Sequence, residues 1–315
     1  MALVLGCVVA ALDPAHAAMS VYLEVHAGAS EHDYSTNDDE SDTSPPFETF
    51  SDFHETLTLN LSHIESRSAG AGSAFGSGAA TASPGGVHVA ANVSGAGSAS
   101  PTTESGGSAQ TDVQAAMGDS FVLLAPGLPI GAPLTLTASW STSGNVFASF
   151  AANDGSSNAN AYSTWSANFA LIPIGGEGFH ATRSAGCQHD SVAQACWGDD
   201  FGAAPAVVTV ANGALVSVSI SARARAWGSS YQAGGEGSAS MNAFADLGNT
   251  VAWGGITSVQ EEGGDPVSEY SASSADTGYD YRFAYAPEPQ ALELCAAAGA
   301  ALFAVARSRR RTLRP

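Results

Sequence analysis

Cys187 and Cys196 are the cysteines best placed to do chemistry, with eight residues between them. In an oxidising compartment a local disulfide is their expected product. Closing a loop of that size stabilises a fold by roughly 2.5–3 kcal/mol in the chain-entropy account. His180 and His189 lie close in sequence and offer a Cys/His metal site as the competing reading, but the spacing does not match structural zinc. Carboxylates come next. Asp38-Asp39-Glu40 with Asp42, Asp199-Asp200, and Glu261-Glu262 with Asp265 supply hard oxygens of the kind calcium takes. None follows the spaced Asp-x-Asp-x-Asp-Gly loop, so solvated acidic loops are expected and no cofactor, with calcium the weak alternative. Paired carboxylates about 5–10 Å apart in a cleft also hydrolyse glycosides, yet among so many acids no pair stands out. Trp140, Trp165, Trp197, Trp227 and Trp253 could stack on the C–H faces of sugars, but read first as core or inter-sheet residues. His26, His54, His63 and His88 fall on or beside expected strands and read as packing residues. The chain has no Gly-x-Ser-x-Gly elbow, His-Glu-x-x-His pair, phosphate loop or dinucleotide fingerprint. No enzymatic activity is expected.

Whatever these residues do, strands must position them. Val21, Leu23 and Val25 alternate with polar neighbours; so do Leu57, Leu59 and Leu61, then Leu134, Leu136 and Ala138, then Val216, Val218 and Ile220. Period-two alternation puts one face on a core and the other in water. Further strands are expected near 87–94, 120–124, 145–151, 161–171, 206–210, 222–227, 238–246, 250–259, 268–273 and 279–285. Asn212-Gly213 predicts a tight hairpin between 206–210 and 214–220, and Gly263-Gly264-Asp265-Pro266 divides another pair. Many short strands with this punctuation indicate an all-β, antiparallel two-sheet sandwich or jelly roll over residues 18–286. Abundant small residues would let the two sheets approach closely. Two segments, 30–50 and 95–112, are polar or nearly all Gly, Ser, Ala and Thr, and are expected as mobile surface loops because they bury too little apolar area to offset chain entropy.

Charge narrows the partners. The chain has no lysine, and between Ala18 and Ala286 it carries 27 acidic residues against five arginines, a formal charge of 22 negative. Such a surface repels phosphate polymers, which need clustered cations, so no nucleic-acid partner is expected.

The two ends read as targeting signals. Residues 2–12 are an apolar run of signal-peptide length, too short to span a bilayer, and Ala15-His16-Ala17 supplies the small-x-small pattern that a signal peptidase requires. Residues 1–17 are therefore expected to be removed after Ala17. At the other end Pro287-Glu288-Pro289 precedes an apolar segment, 290–306, and then Arg307, Arg309, Arg310 and Arg311. As a helix that segment spans roughly 25 Å, near the thickness of a hydrocarbon core. The arginines hold its end in the cytoplasm and leave the tripeptide outside, where its prolines keep it extended and open to proteases. Cys7 and Cys295 lie within these apolar runs and read as filler.

This order of tripeptide, anchor and arginine cluster over residues 287–315 resembles the PEP-CTERM sorting domain of Gram-negative bacteria. The resemblance implies recognition by an exosortase, transient anchoring in the inner membrane by a single transmembrane helix, and delivery to the envelope, cell surface or exopolysaccharide matrix. The segment from Asn242 to Thr250, with Gly255-Ile256-Thr257 and Asp265-Pro266-Val267, is similar to the last strands of ecto-domains in that family and brings no active site. The leading expectation is an exported structural or adhesive protein among exopolysaccharides. The alternative is a carbohydrate-binding surface module, which would show several tryptophans coplanar and exposed on one sheet. A secreted hydrolase would show a deep pocket with paired carboxylates. Neither feature is expected.

Overall fold

The computed structural model describes residues 17–33, 38–43, 48–54, 59–153, 157–190, 193–199, 202–233, 236–247 and 251–286. Among them the chain forms seventeen strands and no helix. In chain order these are β1 (Ala18–Asp33), β2 (Asp38–Thr43), β3 (Glu48–His54), β4 (Leu59–Ala69), β5 (Gly72–Ser83) and β6 (Gly86–Ala99). There follow β7 (Thr103–Leu124), β8 (Pro133–Thr142), β9 (Asn145–Ala152), β10 (Ser157–Pro173), β11 (Phe179–His189) and β12 (Gln194–Gly198). The last are β13 (Gly202–Ala211), β14 (Leu215–Gln232), β15 (Gly237–Asp246), β16 (Val251–Glu261) and β17 (Ser271–Ser274).

They assemble two antiparallel sheets that form a sandwich, as the alternation predicts. The nine-stranded sheet runs β12-β11-β10-β14-β7-β1-β2, with β3 also on β1 and β17 on β7. The eight-stranded sheet runs β13-β8-β16-β6-β15-β9, with β5 on β6 and β4 on β5. The long strand β14 shows how the sequence drives this. Val216, Val218, Ile220, Ala222, Ala224 and Ala226 are buried, while the serines and arginines between them face out.

The sandwich has a thick half and a thin half. In the thick half, Trp140 stacks on Phe169 at 5.2 Å, Phe169 on Trp253 at 6.1 Å, and Phe121 on Tyr281 at 4.8 Å. The Trp253 indole N–H donates to the Tyr281 carbonyl at 2.8 Å, so this large core leaves that donor satisfied. In the thin half backbone meets backbone. A Cβ on Gly107 would overlap the carbonyl oxygen of Ser73 on the opposite sheet, and one on Gly97 would overlap that of Ser105. Only glycine permits such approach.

That thin half corrects the expected loop at 95–112. The segment is the end of β6 and the start of β7, with Ser105, Ala109 and Thr111 buried. The chain-entropy argument fails there because close sheet approach gives small residues a packed environment and a full backbone ladder. The described residues of the expected loop at 30–50 are paired as well. Its first residues complete β1, β2 pairs with Gly28–Asp33, and β3 pairs with Met19–Val25. A sixteen-residue edge recruits this polar segment through backbone hydrogen bonding.

Two further expectations fail on topology. The turn at Asn212-Gly213 does not close a hairpin, since β13 belongs to the eight-stranded sheet and β14 to the nine-stranded one. The Asn212 side chain is buried: its Oδ1 accepts from the Ala125 N–H at 2.8 Å and its Nδ2 donates to the Leu128 carbonyl at 2.9 Å. That anchorage, with Gly213 at φ 84°, turns the chain from one sheet into the other. Residues 279–285 are turns around an isolated bridge rather than a strand.

Candidate functional site

Cys187 and Cys196 face each other across β11 and β12 and are joined by a disulfide. Both sulfurs are committed to each other, and His189 packs edge-on against Phe150 at 4.5 Å. Successive strand residues point to opposite faces, so Trp197, next to Cys196, lies on the outer face of the sheet.

There Trp197 opposes Gly186 of β11, and its ring lies over that glycine, where a Cβ would meet the indole 2.5 Å away. The ring centroid is 5.8 Å from that of Tyr162 on β10, and Tyr162 is 3.8 Å from Trp227, its cross-strand partner on β14. The rings tilt by 51° and 34°, so the row is continuous without being coplanar. Trp197 is 47% exposed and Trp227 39%. The row draws together four adjacent strands whose backbones span about 14 Å at ~4.8 Å per strand, with the two tryptophan rings meeting through Tyr162. Tyr231, further along β14, is exposed on the same face. Trp140, Trp165 and Trp253 are core residues as expected, whereas Trp197 and Trp227 are not.

Beside the row lies a cluster of charged side chains. Asp112 of β7 is buried and takes both guanidinium groups of β14: Arg223 Nε donates to Oδ1 at 2.9 Å, Arg223 Nη2 donates to Oδ2, and Arg225 Nε donates to Oδ2 at 2.9 Å. Burial pushes the Asp112 carboxyl up, against the pull of Arg225. Glu24 of β1 opposes Asp112 on its other side and accepts from the Tyr22 hydroxyl at 2.5 Å. The two carboxylates are cross-strand neighbours, but Asp112 is engaged by both guanidinium groups and lies on an open sheet face rather than in a cleft.

A second buried carboxylate organises the end of the sandwich. Asp119 accepts from the hydroxyls of Ser274 at 2.7 Å, Thr277 at 2.7 Å and Tyr281 at 2.8 Å. These bonds clamp residues 274–281 over the thick half of the core. Burial and the neighbouring Asp119 raise the Tyr281 phenol well above its ordinary value, and burial pushes Tyr279 up to about 12. At the other terminus of the described chain, the Ala17 N–H donates to Asp276 Oδ2 at 3.0 Å.

The remaining sequence candidates divide plainly. Ala15, Pro287, Glu288, Pro289, Arg307, Arg309, Arg310, Arg311 and the apolar segment 290–306 lie outside the described residues. So does Asp200; of Asp38, Asp39, Glu40 and Asp42 only the backbone is described. His63 binds Glu65 Oε1 at 2.9 Å and His88 Nδ1 meets the Leu247 carbonyl at 3.0 Å, both within the sandwich. Among the described residues no group of three or more His, Cys, Asp or Glu is arranged to hold a metal ion. An open depression of about 590 Å³ between Pro173–Gly178 and Val207–Ala211 has Glu177 as its one titratable side chain, too few for acid–base chemistry.

Tyr162 and Gly186 were not singled out by sequence, although the parity of β10 places Tyr162 opposite in facing to Trp165 and Phe169. Comparison of the chain with protein-family models, with curated proteins and with solved structures finds no match.

Proposed function

We propose that this chain is an exported, non-enzymatic protein of the envelope, cell surface or extracellular matrix of a Gram-negative bacterium, sorted by its C-terminal tail and acting there as a structural or adhesive component. The observation that supports this reading is where the folded body stops. Tyr285 is pinned by its N–H, which donates to the Trp253 carbonyl at 2.8 Å, and by its hydroxyl, which accepts from Ser83 Oγ at 2.9 Å. The compact body extends to Tyr285, and Pro287-Glu288-Pro289 follows two residues later in the sequence. All seventeen described strands precede that tripeptide. Cutting the chain there removes none of the described strands, which is what a detachable sorting signal requires.

In this reading a signal peptidase cuts after Ala17, at the threshold of β1, and an exosortase acts on the tail once Arg307, Arg309, Arg310 and Arg311 hold it in the inner membrane. The disulfide fits an oxidising destination. Mass spectrometry of the mature product from its native host tests the proposal. The expected product begins at Ala18, carries an intact Cys187–Cys196 bond and lacks the apolar segment. A product that keeps residues 290–315, or an unchanged destination after deletion of the last 29 residues, would overturn it.

A further inference from the structure

We propose that the row Trp197, Tyr162 and Trp227 binds an uncharged polysaccharide chain laid over the outer face of the nine-stranded sheet. This rests on the adhesive reading above and supplies its ligand class.

The rings themselves come first. Three tryptophans of this chain are no more than 1% exposed, whereas these two stand out from one face and meet through a single tyrosine. An exposed aromatic strip flanked by polar side chains marks a binding surface, because large apolar side chains in water forgo their burial energy. Aromatic faces are electron-rich and match the C–H faces of sugar rings; the rings are not the coplanar platform expected of a flat chain, and their tilts of 51° and 34° suit a twisted one.

The surroundings match the other half of a sugar. Gln188, Thr164, Asn160 and Gln110 share the face and flank the row with amide and hydroxyl groups, donors and acceptors suited to ring hydroxyls. An open sheet surface suits a long chain passing over it better than a small molecule, which is held in an enclosing pocket.

Charge selects among polymers. The body carries 22 net negative charges, and both guanidinium groups beside the row are engaged by Asp112, with Glu24 one strand further. A uronate polymer, a nucleic acid or an anionic lipid is repelled by that field. A neutral glycan pays no such penalty.

The test is affinity electrophoresis of the full chain, purified in detergent, through gels cast with a neutral glucan or mannan, or with a polyuronate. The neutral polymers are expected to retard the protein and the polyuronate is not. Trp227→Ala should weaken retardation at least about tenfold, with the thermal midpoint unchanged because the side chain lies outside the core. Three outcomes overturn the proposal: a Trp197→Ala/Trp227→Ala variant that binds as the parent does; retardation by the polyuronate alone; or a concentration-dependent dimer abolished by Trp227→Ala, which would make the row a contact between copies. Absence of any retardation also overturns it. The sorting proposal survives each of these, since it is scored on the processed termini.

Discussion

The thick and thin halves of the sandwich solve the same packing problem in opposite ways. Around Trp140, Phe169, Trp253, Phe121 and Tyr281 the two sheets stand apart and side-chain volume fills the gap. Around Gly97, Gly107 and Ser73 the sheets close until backbone excludes side chain altogether. Both halves are buried, so burial alone does not distinguish them; what differs is which atoms do the filling. The thick half tolerates a change of shape but not a loss of volume. The thin half tolerates a loss but not a gain.

Gly107→Val should give the largest effect, since the new side chain has to displace the Ser73 carbonyl and with it the β5 ladder. A loss of more than about 4 kcal/mol is expected by chemical denaturation, and a loss under about 1 kcal/mol would show that the halves do not differ in this way. Phe169→Ala should cost about 3–5 kcal/mol by leaving a cavity between Trp140 and Trp253. The matching deletion in the thin half, Ala109→Gly, should cost only about 1 kcal/mol by the same measurement. If the two deletions cost the same, the contrast collapses.

The smallest effect is one of pH, and belongs to the thick half alone. The folded state holds the Tyr279 proton up to about 12, against 10.0 for the unperturbed phenol, mainly through burial. Between those values the unfolded chain has released a proton that the folded chain retains. The contribution is therefore complete below pH 10 and is lost as pH rises toward 12. Tyr281 acts in the same direction. Denaturation midpoints measured from pH 9 to 12 should fall, and Tyr279→Phe should flatten that fall. An equally steep decline in the variant would remove Tyr279 from the account.

Much of this architecture was legible in the residues. Alternating Val216, Val218 and Ile220 against serines predicts a half-buried strand; the same count carried through β14 puts Arg223, Arg225 and Trp227 on the water side, against the expectation that Trp227 is core. The parity of β10 does the same for Tyr162. The pairing of Cys187 with Cys196 follows from their isolation and spacing. Trp197 was not legible as part of a surface, because β12 is five residues long and its position depends on Gly186, a residue of the neighbouring strand.

By itself, then, the sequence determined the fold class, the outward parity of the long strands, the disulfide partners and the net acidity. These are properties of single segments or of totals, set by period-two hydrophobicity and formal charge. Tertiary structure alone decided that glycine-rich 95–112 is core, that Asn212-Gly213 passes between sheets, and that aromatic residues from three strands meet in one row. Each of those outcomes depends on how closely a distant backbone approaches, and no local pattern of residues encodes that distance.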